Sequence, residues 1–319
     1  MVPLRLVALI AVSLLLTGSA GAQDAYPNKP VRMIVPFPPG GPADLIARVM
    51  AQKLSEDLGK QFYIENHAGA GVGLGARAPA DGYSLIVNSQ ATVTNRSLYK
   101  SLPYDPFKDL IAVTRIATTP NVVVVHPTVP ANTMKELVEL MRAGGDRYNG
   151  YAHPGLGTPS NLYGEFFRMK QDLNLTSIPF GGGGPMIQSV VAGHTPVAFS
   201  SLPPATAHIQ AGRLRALAVT ADKRHESLPD VPTMAEAGYP GQTGETPIGI
   251  FVPAGTPAAI VDLLHRKVVQ LVATPDVKQK LANIGFAPVA DTPAEFTAFL
   301  KAEDEKWGKV IRDAGIKIE

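Results

Sequence analysis

Residues 31–42, VRMIVPFPPGGP, decide the fold of this chain. The first five are mostly apolar and predict a buried β-strand, and the prolines and glycines that follow end it. A helical pattern comes next and covers residues 44–58. A strand, a tight turn and a helix in direct succession are the building unit of an α/β protein with a largely parallel sheet.

The same unit recurs along the chain. Strands are predicted at 62–65, 84–88, 121–126, 150–152, 176–179, 197–199, 214–220 and 248–252, and helices at 133–142, 159–170, 185–192, 257–272 and 293–314. Thr133 and Glu136 have the spacing of a capping box at the start of one of these helices. The sequence therefore predicts α/β architecture along the chain.

Proline stands at the apparent first helical position after several turns, at Pro42, Pro159 and Pro185, with Pro203 a looser copy. Its fixed φ suits that position, and its missing N–H would have no partner inside the helix. The remaining free N–H groups and the helix dipole attract anions. Any one such turn can be simple punctuation. Several of them at the carboxyl ends of strands, where α/β proteins bind ligands, favour an anion-binding cleft.

Composition excludes several classes of function. The 319 residues are 45% hydrophobic and 18% charged, which is ordinary for one large or two medium globular domains. The net charge is +2 without a dense basic run, so nucleic acid is not expected as a partner. The chain has no cysteine, which excludes disulfides, thiolate metal ligands and thiol nucleophiles.

Residues 1–22 are typical of a signal peptide. Arg5 precedes the apolar run 6–16, and small residues follow up to Ala22. The run is too short to cross a bilayer, which takes about 20 residues. We therefore expect export to the periplasm, with cleavage after Ala22 and no membrane span in the mature protein.

No catalytic or cofactor motif emerges. The histidines form no H-x-x-x-H pair, and no serine lies in a G-x-S-x-G elbow, so neither a metal nor a hydrolase site is predicted. Residues 71–76, GVGLGA, match part of a dinucleotide fingerprint, but Asn95 and Arg96 stand where an acidic residue is needed. No cofactor is expected. His153 ends a strand beside the presumed cleft and is either a turn residue or a ligand contact.

Short strings along the chain resemble one family. They are YPNKPVR at 26–32, VPFPPGG at 35–41 followed by Asp44, EN at 65–66, GAG at 69–71, ADGY at 80–83, LPYDP at 102–106, GRLRALAVT at 212–220, LPDVPT at 228–233 and PAGTP at 253–257. In this order and at these separations they resemble the Bug/TctC family, the periplasmic solute receptors of tripartite tricarboxylate transporters.

The resemblance implies a two-lobed periplasmic-binding-protein fold of type II, which closes on its ligand like a flytrap. Each lobe would be a mostly parallel sheet flanked by helices. Residues 26–120 plus 224–319 would form lobe 1, and residues 121–223 would form lobe 2. The strands at 121–126 and 214–220 would carry the two crossovers between the lobes.

The resemblance also implies a site in which backbone N–H groups, hydroxyls and bridging waters hold a carboxylate. The matching positions are Phe37, Gly40, Gly41, Asp44, Ser89, Gln90, Ala91 and Thr92 on one side and residues 155–161, 180–183 and 200–202 on the other, among them Gly157, Thr158, Asn161, Phe180, Gly181, Gly182, Ser200 and Ser201. His153 is a further candidate because of its place at the end of a strand. Glycine lets the backbone approach a ligand closely. Asp44 also lies in a first helical turn, where a carboxylate is favoured in any case, and we interpret it as a capping residue.

Two departures from the family pattern bear on this site. Residues 72–78 are about one helical turn shorter than is usual in relatives, so the second helix should be truncated on that side of the cleft. Ser200 and Ser201 stand where many relatives carry an Asp-Asn pair. The lost carboxylate argues against a ligand with an ammonium group, because a buried ammonium needs a charged partner.

The implied function is capture of a small mono- or dicarboxylate, aliphatic or aromatic, for the membrane permease subunits of a tripartite tricarboxylate transporter. A monomer without enzymatic activity is expected. One alternative is a receptor that presents the bound carboxylate to a membrane sensor kinase. Another is an enzyme that uses the glycine-rich turns on a phosphorylated substrate.

Overall fold

A computed structural model of the chain describes residues 26–144 and 147–318. The predicted signal peptide and its cleavage site lie outside these residues. The elements run β1 (Val31–Val35), α1 (Pro42–Leu58), β2 (Phe62–Asn66), α2 (Gly71–Ala76), β3 (Ser84–Asn88), α3 (Ala91–Leu98), β4 (Leu110–Val125), α4 (Met134–Ala143), β5 (Gly150–His153), α5 (Pro159–Lys170), β6 (Thr176–Pro179), α6 (Gly183–Val191), β7 (Val197–Ser201), α7 (Leu202–Gln210), β8 (Arg215–Val219), β9 (Glu245–Pro253), α8 (Ala258–Ala273), α9 (Pro275–Asn283), β10 (Ala287–Pro288) and α10 (Pro293–Asp313).

The strands form one sheet path in the order β2-β1-β3-β9-β4-β7-β5-β6, with β8 and β10 also paired to β4. The predicted α/β class is confirmed. The sheet is mixed, whereas a mostly parallel one was expected. The pairs at both ends are parallel, β1 with β2 and β3 and β5 with β6 and β7, but β4 and β9 run antiparallel to their neighbours. These central strands join by direct pairing and need no crossover helix between them.

The long strand β4 belongs to both halves of the sheet. Its residues 110–120 pair with β9, and its residues 121–125 pair with β7 and β8. Pro120 stands where the partners change, and its lack of an N–H group suits a point where the ladder is interrupted. The predicted strand at 121–126 is therefore the second half of a longer strand.

Three chain segments meet at this change of partners. The Asn121 backbone N–H donates to Thr220 Oγ1 at 2.8 Å, and Asn121 Nδ2 donates to the Gly244 carbonyl at 3.0 Å. Trp307 and Tyr163 pack closely on Gly244, since an added Cβ there would lie 3.3 Å from the Trp307 ring and 3.0 Å from that of Tyr163. A side chain at residue 244 would crowd both rings.

The hydrophobic core is divided between the two halves of the sheet. One cluster lies between β1, β3, β9 and the helices α1 and α8, and another surrounds β5 and β7 with α4 and α5. Helix α10 contributes to both halves. Phe296 and Leu300 pack in a cluster with β3 and β9, and Trp307 and Ile311 pack in the cluster around β7.

The helix starts follow the predicted signals. Pro42 and Pro159 open α1 and α5. The capping box of α4 is confirmed, because Thr133 Oγ1 accepts the Glu136 N–H at 3.2 Å and the Glu136 carboxylate accepts the Thr133 N–H. Helix α6 begins at Gly183, two residues before the predicted start. Helix α2 has only six residues, in agreement with the expected truncation.

Candidate binding site

The first turn of the site joins β1 to α1, and the buried side chain of Asp44 stabilises it. This carboxylate is 1% exposed. Its Oδ2 accepts the Gly40 N–H at 2.9 Å and Arg48 Nε at 2.8 Å, and its Oδ1 accepts Asn66 Nδ2 at 3.0 Å. Asn66 Nδ2 also donates to the Phe37 carbonyl at 2.9 Å. The carboxylate therefore fixes the shape of the turn through the amide of Gly40, which precedes the N-cap residue Gly41.

The electrostatics of Asp44 agree with this role. Burial alone would raise the pKa of the carboxyl, but hydrogen bonds from Arg48, Gly40 and Asn66 outweigh burial and hold the pKa below its usual value. Asp44 is therefore ionised at neutral pH, and Arg48 balances its charge.

The second turn, residues 154–158 between β5 and α5, lies across the cleft. Asn161 Oδ1 accepts the Gly157 N–H at 2.9 Å, and His153 Nδ1 accepts the Gly155 N–H at 3.2 Å. Thr158 caps α5: its hydroxyl donates to the Gly155 carbonyl at 2.7 Å and accepts the Asn161 N–H at 3.4 Å. Side chains therefore fix both glycine amides of this turn.

A buried polar network supports the second turn. His153 Nε2 lies 2.8 Å from Ser177 Oγ, and Asn161 Nδ2 lies 3.4 Å from both Ser177 Oγ and Tyr151 Oη. The Tyr151 hydroxyl donates to Glu165 Oε1 at 2.5 Å. Burial lowers the pKa of His153 to about 4, so its ring is neutral at pH 7 and can accept the Gly155 N–H.

Main-chain N–H groups without a partner indicate which kind of ligand the cleft can bind. In residues 26–144 and 147–318, the amides of Gly41, Ala43, Ser160 and Gly183 have no hydrogen-bond partner within the protein. They belong to the starts of three helices, α1, α5 and α6. All four residues line one cavity. Unpaired N–H groups at helix starts favour an anionic ligand group.

This inner cavity has a volume of about 50 Å³. It is lined by residues 37–38, 41–43, Ser89, Pro154, residues 158–160, residues 182–183, Ser201, Thr246 and Ile248. An outer cavity of about 210 Å³ adjoins it and shares Phe37, Pro38, Pro154 and Thr158. No described residue that lines either cavity has a charged side chain.

Part of the predicted site lines these cavities directly. Phe37, Gly41, Ser89, Thr158, Gly182 and Ser201 line the inner cavity, and Phe37, Ala91, Gly157, Thr158 and Gly181 line the outer one. The structure brings these residues together from both halves of the sheet. Their contact with a ligand stays a prediction.

The other predicted residues do not line either cavity. They are Gly40, Asp44, Gln90, Thr92, His153, Asn161, Phe180 and Ser200. Gly40, Asp44, His153 and Asn161 hold the two turns, as described above. Thr92 Oγ1 accepts Asn88 Nδ2 at 2.8 Å and donates to the Ser89 carbonyl at 3.0 Å. Direct ligand contact by any of the eight positions stays a prediction.

Sequence reasoning missed the lining residues Thr246 and Ile248, whereas Ser160 and Gly183 lie within the predicted segments 155–161 and 180–183. The amides of Ser160 and Gly183 follow from the helix starts that the prolines and glycines mark, so this signal was present in the sequence. Thr246 carried no such signal. It reaches the cavity through the pairing of β9 with β4, which depends on residues over 100 positions away.

Two further findings concern the described residues only. They contain no group of three or more His, Asp or Glu side chains arranged to hold a metal ion. None of their helices combines the length and the apolar character needed to span a bilayer.

Comparison with known proteins identifies the family. Residues 46–316 match the family model described as the tripartite tricarboxylate transporter family receptor, TctC. This chain belongs to that family. The receptor is similar to the protein BugT of Bordetella pertussis, with 33% identity over 99% of each chain. The resemblance to the Bug/TctC family is confirmed.

Solved structures give the same result for the fold. The receptor is similar to the R. palustris protein Rpa4515 with adipate, at 33% identity and a TM-score of 0.87 over 92% of this chain and 100% of that one. It is also similar to MatC from Rhodopseudomonas palustris with bound malate, at 29% identity and a TM-score of 0.83 over 90% of this chain and 100% of that one. The expected periplasmic-binding-protein fold is confirmed.

Proposed function

We propose that this receptor captures a small mono- or dicarboxylate, aliphatic or aromatic, in the cleft between its two turns, for the permease subunits of a tripartite tricarboxylate transporter. The observation that carries the proposal is the inner cavity with its free amides from three helix starts. Main-chain N–H groups at helix starts can hold a carboxylate without an arginine or lysine.

The sizes of the two cavities suggest how the acid is oriented. One water molecule needs about 10–15 Å³ of accessible volume. The inner cavity of about 50 Å³ therefore takes a group of a few heavy atoms. A carboxylate group is of that size. The remainder of the acid would extend into the outer cavity of about 210 Å³, where Asn95 and Tyr99 offer neutral polar contacts.

Two similar structures support a carboxylate ligand. Rpa4515 was solved with adipate and MatC with malate, and both are dicarboxylic acids. The two acids differ in chain length and in hydroxyl substitution. The shared feature is the carboxylate group, and we carry only this feature over to the present receptor.

Closure of two lobes would complete the site. The sequence predicts lobe 1 as residues 26–120 plus 224–319 and lobe 2 as residues 121–223, and we propose this division with its second boundary shifted along the chain. The change of β4 partners at Pro120 supports the first boundary. The chain from 228 to 239 packs with the lobe 2 cores through Leu228, Met234 and Tyr239, which favours a second boundary nearer to Glu245.

Export is part of the proposal. The family is one of periplasmic receptors, and we propose that residues 1–22 direct export and are removed after Ala22. N-terminal sequencing of the protein from a periplasmic extract should then begin at Gln23. A mature chain that begins at Met1 would contradict the cleavage.

Carboxylate capture can be tested by thermal shift with a panel of succinate, adipate, malate and benzoate. An acid at about 100 times its Kd stabilises the folded state by about 2.7 kcal/mol, which is readily measured. The matched controls are adipamide and benzamide, which keep the shape but lose the charge. We expect a shift with at least one acid and none with the amides.

Equal shifts with acid and amide, or no shift with any acid of the panel, would contradict the proposal. Recovery of the bound acid in chemically altered form would favour the enzymatic alternative. Uptake of the acid in a strain that lacks this gene but expresses the permease constitutively tests the transport step, because a pure sensor would leave that uptake intact.

A further inference from the structure

Thr246 is a buried threonine with unused hydrogen-bonding capacity. It is the second residue of β9, and its side chain is 3% exposed. Among the described residues, its Oγ1 has no hydrogen-bond partner. The residue lines the inner cavity. A buried hydroxyl without a partner destabilises the fold, so a partner supplied from the cavity would account for its presence.

The residue paired with Thr246 differs from it, because its hydroxyl has a hydrogen-bond partner within the protein. Thr119 of β4 lies directly opposite in the ladder and is fully buried. Its hydroxyl donates to the Gly285 carbonyl at 2.7 Å. Thr118, the next residue back along β4, donates to Glu245 Oε2 at 2.8 Å. Of these three neighbouring hydroxyls, two are satisfied within the protein, and the third, on a residue that lines the inner cavity, is not.

Unpaired main-chain groups of residues that line the inner cavity, beside the hydroxyls of Ser89, Thr158, Ser160 and Ser201, indicate what Thr246 would bind. The main-chain N–H groups of Gly41, Ala43, Ser160 and Gly183 are all donors. A ligand group that satisfies so many donors must be an acceptor with several lone pairs. A carboxylate provides about four such positions, and a hydroxyl can donate to one of them.

We propose that Thr246 is a ligand-contacting residue, whose hydroxyl donates a hydrogen bond to a carboxylate oxygen held in the inner cavity. This inference rests on the proposed function. Thr246 lies two residues after Gly244, whose carbonyl accepts hydrogen bonds from Asn121 and Thr220 at the return crossing, where the chain would re-enter the proposed lobe 1. The carboxylate would thus bind the crossing segment as well as the two turns, and this contact would link occupancy of the cavity to closure of the proposed lobes.

The test compares Thr246→Val, which removes the hydroxyl at nearly constant shape, with Thr246→Ser, which keeps it. The matched control is Thr119→Val on the partner strand. Each variant is titrated calorimetrically with succinate, adipate, malate and benzoate, and the Tm of the ligand-free protein is measured. We expect Thr246→Val to weaken binding about 10-fold or more, equivalent to about 1.4 kcal/mol. Thr246→Ser should stay within about 3-fold of the parent, or about 0.7 kcal/mol.

The Tm of the ligand-free protein separates a ligand contact from a structural role. Loss of an unsatisfied hydroxyl should leave the Tm of Thr246→Val unchanged or higher, whereas Thr119→Val should melt lower because it breaks a satisfied bond. A Thr246→Val variant that binds like the parent overturns this inference alone. A variant that melts lower shows that the protein itself uses the hydroxyl, and overturns it as well. If no acid binds the parent, the proposed function fails, and the inference fails with it.

Discussion

The two turns that face each other across the cleft are built alike but held by different chemistry. In each, a glycine N–H donates to a side-chain oxygen four residues later, Gly40 to Asp44 and Gly157 to Asn161. Asp44 is ionised and paired with Arg48, whereas Asn161 is neutral and belongs to the network of His153. The same backbone shape can therefore depend on charge on one side and on neutral hydrogen bonds on the other.

The largest effect is expected from a side chain placed inside the cavity. Gly41 has φ −81°, which any residue adopts, and an added Cβ would meet nothing nearer than the Pro38 carbonyl at 4.0 Å. We expect Gly41→Val to fold but to fill the inner cavity. Its Kd for any acid of the panel should rise by about 1,000-fold or more, which is about 4 kcal/mol.

The control for this variant is Ala259→Val, which places the same valine side chain on an exposed face of α8. Calorimetric titration should show unchanged affinity in the control and no detectable heat of binding in Gly41→Val. Normal affinity in Gly41→Val would place the ligand outside the inner cavity.

Acid should weaken the second turn before the first. The pKa of His153 is about 4 in the folded protein against 6.5 for a free histidine, so the unfolded chain alone binds this proton between those values. The free energy of unfolding should be highest above pH 6.5 and fall by about 3 kcal/mol towards pH 4 on account of His153.

Urea unfolding between pH 4 and pH 7 measures this contribution. His153→Asn keeps a side-chain oxygen that can accept the Gly155 N–H, but it does not titrate in this range. The variant should lose about 3 kcal/mol of the pH dependence of the parent. Equal slopes in parent and variant would show that His153 does not titrate as its burial requires.

A smaller effect is expected for the charge in the first turn. Asp44→Asn removes an acceptor from Gly40 and Arg48, and loss of such charge-assisted bonds should lower the free energy of unfolding by about 2 kcal/mol at pH 7. The pKa of Asp44 is lowered in the folded state, so its contribution is complete above the usual pKa and is lost as the pH falls below it. The parent and Asp44→Asn should therefore converge only in strong acid.

Arg48→Ala is the matched control, because the Arg48 side chain is 54% exposed. An ion pair with a partner exposed to water contributes about 1 kcal/mol or less to the free energy of unfolding. Urea unfolding at pH 7 should therefore rank Asp44→Asn as the more damaging change. The reverse order would mean that the ion pair, rather than the bonds to the turn, stabilises this region.

The smallest effect is expected at the cap of α5. Thr158→Val removes the hydroxyl that accepts the Asn161 N–H, and Thr158→Ser keeps it. Loss of such a cap costs about 1 kcal/mol. Thermal unfolding should separate the two variants by that amount, and identical melting curves would show that Thr158 does not act as a cap.

Local sequence patterns predicted the strand-to-helix turns of the site. The strand, turn and helix over residues 31–58 follow from apolar periodicity and from Pro42, and the α4 capping box follows from Thr133 and Glu136. These signals lie within a few residues of the structure that they specify. The amides that line the inner cavity belong to such local units, which is why the facing helix starts could be foreseen.

Long-range structure was not predictable in the same way. The first half of β4 was not predicted, and the strand continues through Pro120 with new pairing partners. Helix α3 contains threonine and asparagine, which are weak helix formers, and its packing against α10 supports it. Thr246 enters the cavity through strand pairing, which no local pattern encodes.

The position of Trp307 has a practical consequence. It is the only tryptophan of the chain, it is 1% exposed, and it packs on Gly244 at the return crossing and edge-on against Phe166 at 6.2 Å between ring centres. Movement about the crossing would change the surroundings of this indole. If the proposed lobes open and close, its intrinsic fluorescence should change with them, and stopped-flow mixing would measure that change without an attached dye.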